Sequence, residues 1–181
     1  MIILDLCGGT GSWSRPYKEA GYDVRIIDMK TGHDVRLFEK PNAKIHGILA
    51  APDCTHLAGS GARWWEEKGE GPLLNGLAVV DACLRIILVC EPKFWALENP
   101  VGRLVHYLGK PKMYFNPCDY GDPYTKKTCL WGNFTDPVKT PIEAKEGSKL
   151  WKMYGGKSEK TKTMRSITPP GFAKAFFEAN P

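Results

Sequence analysis

The chain has 181 residues, 43% of them hydrophobic, and a formal net charge of +5, which is the size of one domain with one sizeable core. The charge is local: from Val138 to Arg165 eight Lys or Arg stand against three acids, and the rest is close to neutral. Six cysteines form no CxxC pair and follow no secretory leader, and Asp81 and Arg85 break the longest apolar run. Zinc sites, disulfide frameworks and uncharged membrane spans are therefore disfavoured, and a reducing cytoplasm is expected.

In chain order, "MIILDL" is an apolar run ending at Asp5 and then at glycines, and reads as a buried strand. "SRPYKEAGY" reads as a helix stopped at Gly21. "DVRIID" is a second strand closing at Asp28, and "IHGILAA" a third that runs into a loop around Cys54. "PLLNGLAVVDACLRIILVC" has helical length with a proline at its start. "FWALENP" is a fourth strand closed by Pro100, "VGRLVHYLG" a short helix, "KTCLWGNF" strand-like, and "PGFAKAFFEAN" a proline-started helix. The alternation predicts one α/β domain over 1–181 with a doubly wound, mostly parallel sheet. Ligands of such sheets bind beyond the carboxyl ends of the strands. Asp5, Asp28, Cys54 and Glu98 all lie at predicted strand ends, so the topology brings them to one edge.

The glycine-rich turn "DLCGGTGSW" follows the first strand, and about twenty residues later Asp28 can accept from two ribose hydroxyls. The turn lacks the Gly-Lys-Ser/Thr of a P-loop and the third glycine of GxGxxG. A nucleoside ligand without phosphates, S-adenosylmethionine, fits better than a dinucleotide. In "APDCTHLAGSGARWW" a cysteine opens a loop of small residues, where Arg63 or His56 would favour a thiolate. In "WALENP" a carboxylate directly after an apolar strand is a poor core choice; an apolar site would raise its pKa and let it share a proton. A thiolate and a proton-sharing acid beside a methyl-donor site suit methylation of carbon 5 of cytosine.

With these motifs in this order, the sequence resembles the DNA cytosine-5 methyltransferases, most of all short phage-type members. The resemblance covers nearly the whole chain. It implies a Rossmann-like methyltransferase fold with S-adenosylmethionine held by Asp5, Leu6, Gly8, Gly9, Thr10, Gly11 and Trp13 of the first motif. Asp28 with Met29 would sit at the ribose, Asp34 of "GHDV" with Val35 at the adenine, and Pro52 beside them. "PDCT" implies Cys54 as nucleophile. "LENP" implies Glu98 at nitrogen 3 of the base, supported by Asn99, and the loop Thr55 to Lys68 with Arg63 closing over it. "YGDPYTKKTCLWG" resembles the family's Tyr-Gly-x-Pro-Gln-x-Arg-x-Arg stretch and implies nucleic-acid contacts at Lys126, Lys127 and Thr128, joined by Arg165. The closing "RSITPPGFAKAF" resembles the motif that completes the cofactor pocket.

The departures are specific. Asp53 replaces the second proline of the nucleophile motif, and an acid there raises the thiol pKa. Lysines and threonines replace the paired arginines, and a lysine does not reproduce a bidentate contact. Residues 133–164, basic and with Trp151 and Tyr154, stand where the family carries a large target-recognition region. DNA is the expected partner, with no metal and no membrane. A free cytosine nucleotide or RNA as substrate, an inactive binding descendant, and a split or homo-oligomeric enzyme whose recognition domain sits on another chain are the alternatives. Self-marking against restriction is one purpose such an enzyme serves.

Overall fold

The first strand, β1, spans Ile2–Leu6, with its last four residues buried. The computed structural model describes residues 1–148 and 159–181, with side chains from 163 in the second span. After β1 come α1 (Arg15–Glu19), β2 (Asp23–Ile27), β3 (Ile45–Ala50), α2 (Trp65–Lys68), α3 (Glu70–Cys90), β4 (Phe94–Pro100), α4 (Val105–Leu108), β5 (Met113–Phe115), β6 (Thr128–Asn133), α5 (Glu159–Ser166) and α6 (Pro170–Ala179). The sheet order is β2-β1-β3-β4-β6-β5. The first four strands are mutually parallel, and β6 runs antiparallel to both β4 and β5. The expected mostly parallel, doubly wound α/β sheet is therefore present.

Side chains alternate across a strand, so successive residues feed two different cores. Leu4, Leu6, Ile48, Ala50 and Leu97 meet Val80, Cys83, Ile86 and Ile87 of α3 on one face. Ile3, Leu49, Phe94, Ala96 and Leu130 meet Trp13, Tyr17, Phe172 and Phe176 on the other. Phe172 and Phe176 of α6 are fully buried, Phe172 stacking on Phe115 with centroids 3.9 Å apart. Each such ring contributes roughly 2–3 kcal/mol of burial. By length and composition α3 is apolar enough to cross a bilayer, the charges notwithstanding; here it covers the sheet with Gly76, Val80, Ala82, Cys83, Ile86 and Ile87 buried. It begins two residues before Pro72, which the first helical turn tolerates because its N–H groups have no intrahelical acceptor.

Three elements went unforeseen in the sequence, the first being α2, a single turn inside the expected Thr55 to Lys68 loop. β5 has three residues, too few for an alternation to register, and its exposed Tyr114 interrupts the apolar signal. α5 lies in a Lys-rich stretch with no apolar stripe. The first half of the basic insert is built onto the preceding segment: Thr140 and Ile142 donate to the carbonyls of Asp119 and Cys118, both at 2.9 Å, and Thr125 donates to that of Gly147. Residues 149–158, with Trp151 and Tyr154 and three of the eight basic residues counted above, lie outside the described residues.

Candidate active site

The glycine turn is shaped by its own backbone. Gly9 and Gly11 have φ of +51° and +66°, a region L-residues rarely enter. The Gly11 amide donates to the Gly8 carbonyl at 2.8 Å. A Cβ at Gly8 would overlap the Asp5 carboxylate, so this glycine is needed for the close approach. Asp5 is fully buried at the end of β1. Its Oδ2 accepts from Ser14 Oγ at 2.5 Å, while Oδ1 has no partner. Burial pushes its pKa up to about 7, despite the Ser14 hydrogen bond. Ser14 stands at the start of α1 but makes no side-chain cap, because its hydroxyl is given to Asp5.

Asp28 stands one residue past β2 and faces this turn. Its Oδ2 accepts from the Gly9 amide at 2.9 Å and its Oδ1 from the Lys30 amide at 2.7 Å. Thr10 and Met29 are exposed beside them. Leu6 and Val35 are core residues, so only their backbone is available to a ligand. Trp13, expected at the cofactor, is 2% exposed and packs edge-on to Phe176 at 5.4 Å; its ring is a core anchor. Asp34 is engaged by Arg36, which reaches both carboxylate oxygens (Nη2–Oδ2 2.6 Å, Nε–Oδ1 3.0 Å). The guanidinium holds this carboxyl below its ordinary pKa. An adenine amine would have to share those oxygens.

Cys54 and Glu98 come from neighbouring strands. Cys54 follows β3 by four residues, and Glu98 is the fifth residue of β4. The two are tied by Asn99, fully buried, whose Nδ2 donates to the Pro52 carbonyl at 3.0 Å. Asp53 shapes the turn itself: its Oδ1 accepts from the Thr55 amide at 2.9 Å and the Thr55 hydroxyl at 2.6 Å. Burial first, then the Glu98 and Asp53 charges, push the Cys54 thiol up to about 11. Burial likewise raises Glu98, with Lys126 opposing it. A second thiol near Glu98, Cys129, is also raised to about 11 but fully buried, which leaves Cys54 as the thiol a base can reach.

The cations acting on Cys54 are Lys126 and Arg165, not Arg63 or His56. Lys126 Nζ donates to the Arg165 carbonyl at 2.9 Å, and so joins the approach to β6 to α5. Arg63 lies over the ring of Trp64, 3.9 Å from its centroid. Thr128 is buried and donates its hydroxyl to the Lys126 carbonyl at 2.8 Å, which makes it a support of that lysine and not a surface contact. Lys127 is exposed, over the ring of Tyr114.

The Thr55 to Lys68 loop is pinned. The Gly59 amide donates to the Val101 carbonyl at 2.8 Å and the Arg103 amide to the Leu57 carbonyl at 2.9 Å. Arg103, which no sequence motif marked, lies over Trp65 at 3.9 Å. Gly102 permits this: a Cβ there would run into the backbone of Leu57 and Gly59. Trp65 is half-buried by this packing, whereas Trp64 keeps 39% exposure.

A groove of about 410 Å³ lies away from this chemistry, between α1 and α6, lined by Arg15, Glu19, Thr168, Lys174 and Phe177 among others. Thr168 there donates its amide to Ser12 Oγ at 2.9 Å, fastening the approach to α6 onto the glycine turn. Among the described residues no group of three or more His, Cys, Asp or Glu could hold a metal ion.

The sequence matches no family model and no curated protein. Among solved structures it is similar to a prophage-encoded E. coli protein described as a candidate DNA modification methyltransferase, with 17% identity and a TM-score of 0.54. The match covers 79% of this chain and 53% of that one, so the chain spans about half the length of its structural neighbour. At this identity the likeness is one of fold alone.

Proposed function

We propose that this chain transfers a methyl group from S-adenosylmethionine to carbon 5 of cytosine in DNA, with Cys54 as nucleophile. The observation that carries the reading is the pairing of Cys54 and Glu98 at adjacent strand ends, locked by the Asn99–Pro52 bond. The neighbour's description as a DNA modification methyltransferase agrees with DNA as substrate.

The residues present fit the cofactor. Asp5 Oδ1 is a buried acceptor with no partner, beneath a glycine turn, and suits the ammonium of a methionine moiety. Asp28 has lone pairs left for ribose hydroxyls after its two backbone bonds. Gly8, Gly9 and Gly11 let the backbone lie close to the ligand, and Pro52 and Val35 line it through the backbone. Bound there, S-adenosylmethionine supplies an electrophilic methyl group.

Glu98, whose burial favours its protonated form, donates to nitrogen 3 of a cytosine that has left its stack. Cys54 loses its proton to solvent and adds to carbon 6, which makes carbon 5 nucleophilic toward the methyl group. Loss of the carbon-5 proton to solvent then breaks the sulfur–carbon 6 bond, releases the thiolate and lets nitrogen 3 return its proton to Glu98. Lys126 and Arg165 favour the thiolate against the carboxylates. Asn99 holds the Cys54 turn in register with Glu98.

The test is transfer of labelled methyl to cytosine, with Cys54→Ser as the comparison. Loss of the nucleophile lowers transfer by at least about 1,000-fold. The thiol's rise to about 11 favours one second reading, a descendant that binds cofactor and nucleic acid without turnover. Cofactor binding with no label transferred to DNA, RNA or free cytosine nucleotide identifies that case.

A further inference from the structure

We infer that the nucleic acid engaged by this site is single-stranded, with bases stacking on Trp64 and Tyr114 on opposite sides of Glu98. The inference rests on the methyl-transfer reading only in taking a cytosine-containing strand as the ligand. Two exposed rings flank the site. Trp64 and Tyr114 each keep 39% exposure. Each carries a cation over its ring, Arg63 at 3.9 Å and Lys127 at 5.1 Å. Isolated exposed aromatics are ordinary; these two are placed by the fold at the edge that holds Glu98.

The sheet order fixes their sides. The segment bearing Trp64 follows β3, one neighbour of β4, and is pinned to Val101 and Arg103 just past the β4 end. Tyr114 lies on β5, beyond β6, the other neighbour of β4, and pairs in register with Cys129. Lys127 immediately precedes Thr128, which pairs with Pro100 at the end of β4. Glu98 therefore stands between the two cation–aromatic pairs, with Lys126 supplying further positive charge near it and Arg165 near Cys54.

Aromatic platforms interleaved with cations are how single strands are held: rings take base faces and cations take phosphates. A duplex hides its base faces in its own stack, and one flipped cytosine would occupy the Cys54–Glu98 site and leave both platforms empty. A single strand offers unstacked bases on both sides of the target. The pinned Trp64 segment is already ordered, so binding does not have to fix it.

The test measures binding and not turnover. Fluorescence anisotropy of the full chain carrying Cys54→Ser is recorded with one labelled cytosine-containing sequence as single-stranded DNA, single-stranded RNA and duplex DNA, at matched ionic strength. A single strand is expected to bind about 10-fold or more tighter than the duplex. Trp64→Ala and Tyr114→Ala are expected each to weaken single-strand binding about 5- to 100-fold and to change duplex binding much less. Trp64→Phe and Tyr114→Phe, which keep a ring, should recover most of it, and they decide the matter if an alanine variant folds poorly. Which single strand wins reports the sugar, and either supports the inference. Duplex binding equal to or tighter than both single strands overturns it, as does unchanged single-strand affinity in natively melting alanine variants. Tight single-strand binding by the parent chain, with no label transferred by it, would overturn the methyl-transfer reading alone.

Discussion

The nucleoside end and the base end of the site are built in opposite ways. At the nucleoside end, the hydrogen bonds of the carboxylates stay within nineteen residues: Asp5 meets Ser14, Asp28 meets Gly9 and Lys30, and Asp34 meets Arg36. At the base end, Asn99 reaches Pro52 across 47 residues and Lys126 reaches Arg165 across 39. The first end is a preformed cradle with one acceptor left over. The second is an assembly of acidic groups whose charges oppose one another, with two cations from elsewhere in the chain holding the balance. Binding geometry can be set locally, whereas the reactive groups are gathered from distant parts of the chain into a buried setting that raises both pKa values.

This contrast is open to attack. The largest effect should come from Glu98→Gln, which removes the shared proton at the base end. Methyl transfer is expected to fall about 100- to 10,000-fold while cofactor affinity stays within about two-fold, read by label transfer and calorimetry. Because the Glu98 pKa is raised, the parent loses stability as pH rises through it; the glutamine variant should lack that loss, which thermal melts at several pH values report.

Asp5→Asn probes the other end, with effects of opposite sign on folding and binding. A folded pKa near 7 against an ordinary 3.8 means that apo stability is highest below about pH 4, falls as pH rises toward 7 and then levels off. At pH 8 the variant should melt higher, by at most about 4 kcal/mol of stability, yet bind cofactor about 10-fold more weakly. Parent affinity for cofactor should rise with pH through 7. A melt that falls at pH 8 would break the view of Asp5 as a strained acceptor.

The smallest effect belongs to Asp53→Asn, which keeps an oxygen for the Thr55 turn and removes one charge beside the thiol. The pH midpoint of Cys54 alkylation should drop from about 11 by roughly half a unit. A larger drop would move Asp53 from a minor to a leading cause of the raised thiol.

What was legible follows the same division. Strand ends and the glycine turn are written in contiguous residues, so β1 to β4 and the positions of Asp5, Asp28, Cys54 and Glu98 could be read directly. Which group acts on which could not. Arg63 is nine residues from Cys54 and looked like its partner, but the loop turns its guanidinium onto Trp64, and the cations come from positions 126 and 165. Trp13 sits inside a ligand-like motif, yet the aromatic rings of α6, more than 150 residues later, claim it for the core. Arg36 lies two residues from Asp34, but nothing in the spacing says that the pair will close on itself. Separation along the chain hides the first two; side-chain direction hides the third.

The fastening of the C-terminal segment onto the first turn has a consequence in time. Thr168 bonds Ser12, the Tyr17 hydroxyl donates to the Asn180 carbonyl, and Phe172 and Phe176 complete the face that includes Trp13. Until residues 168–180 are made, Trp13 and Tyr17 lack the aromatic rings that pack on them, and the glycine turn lacks the Thr168 bond behind it. This face of the fold therefore closes late in synthesis, although its sheet strands are made early.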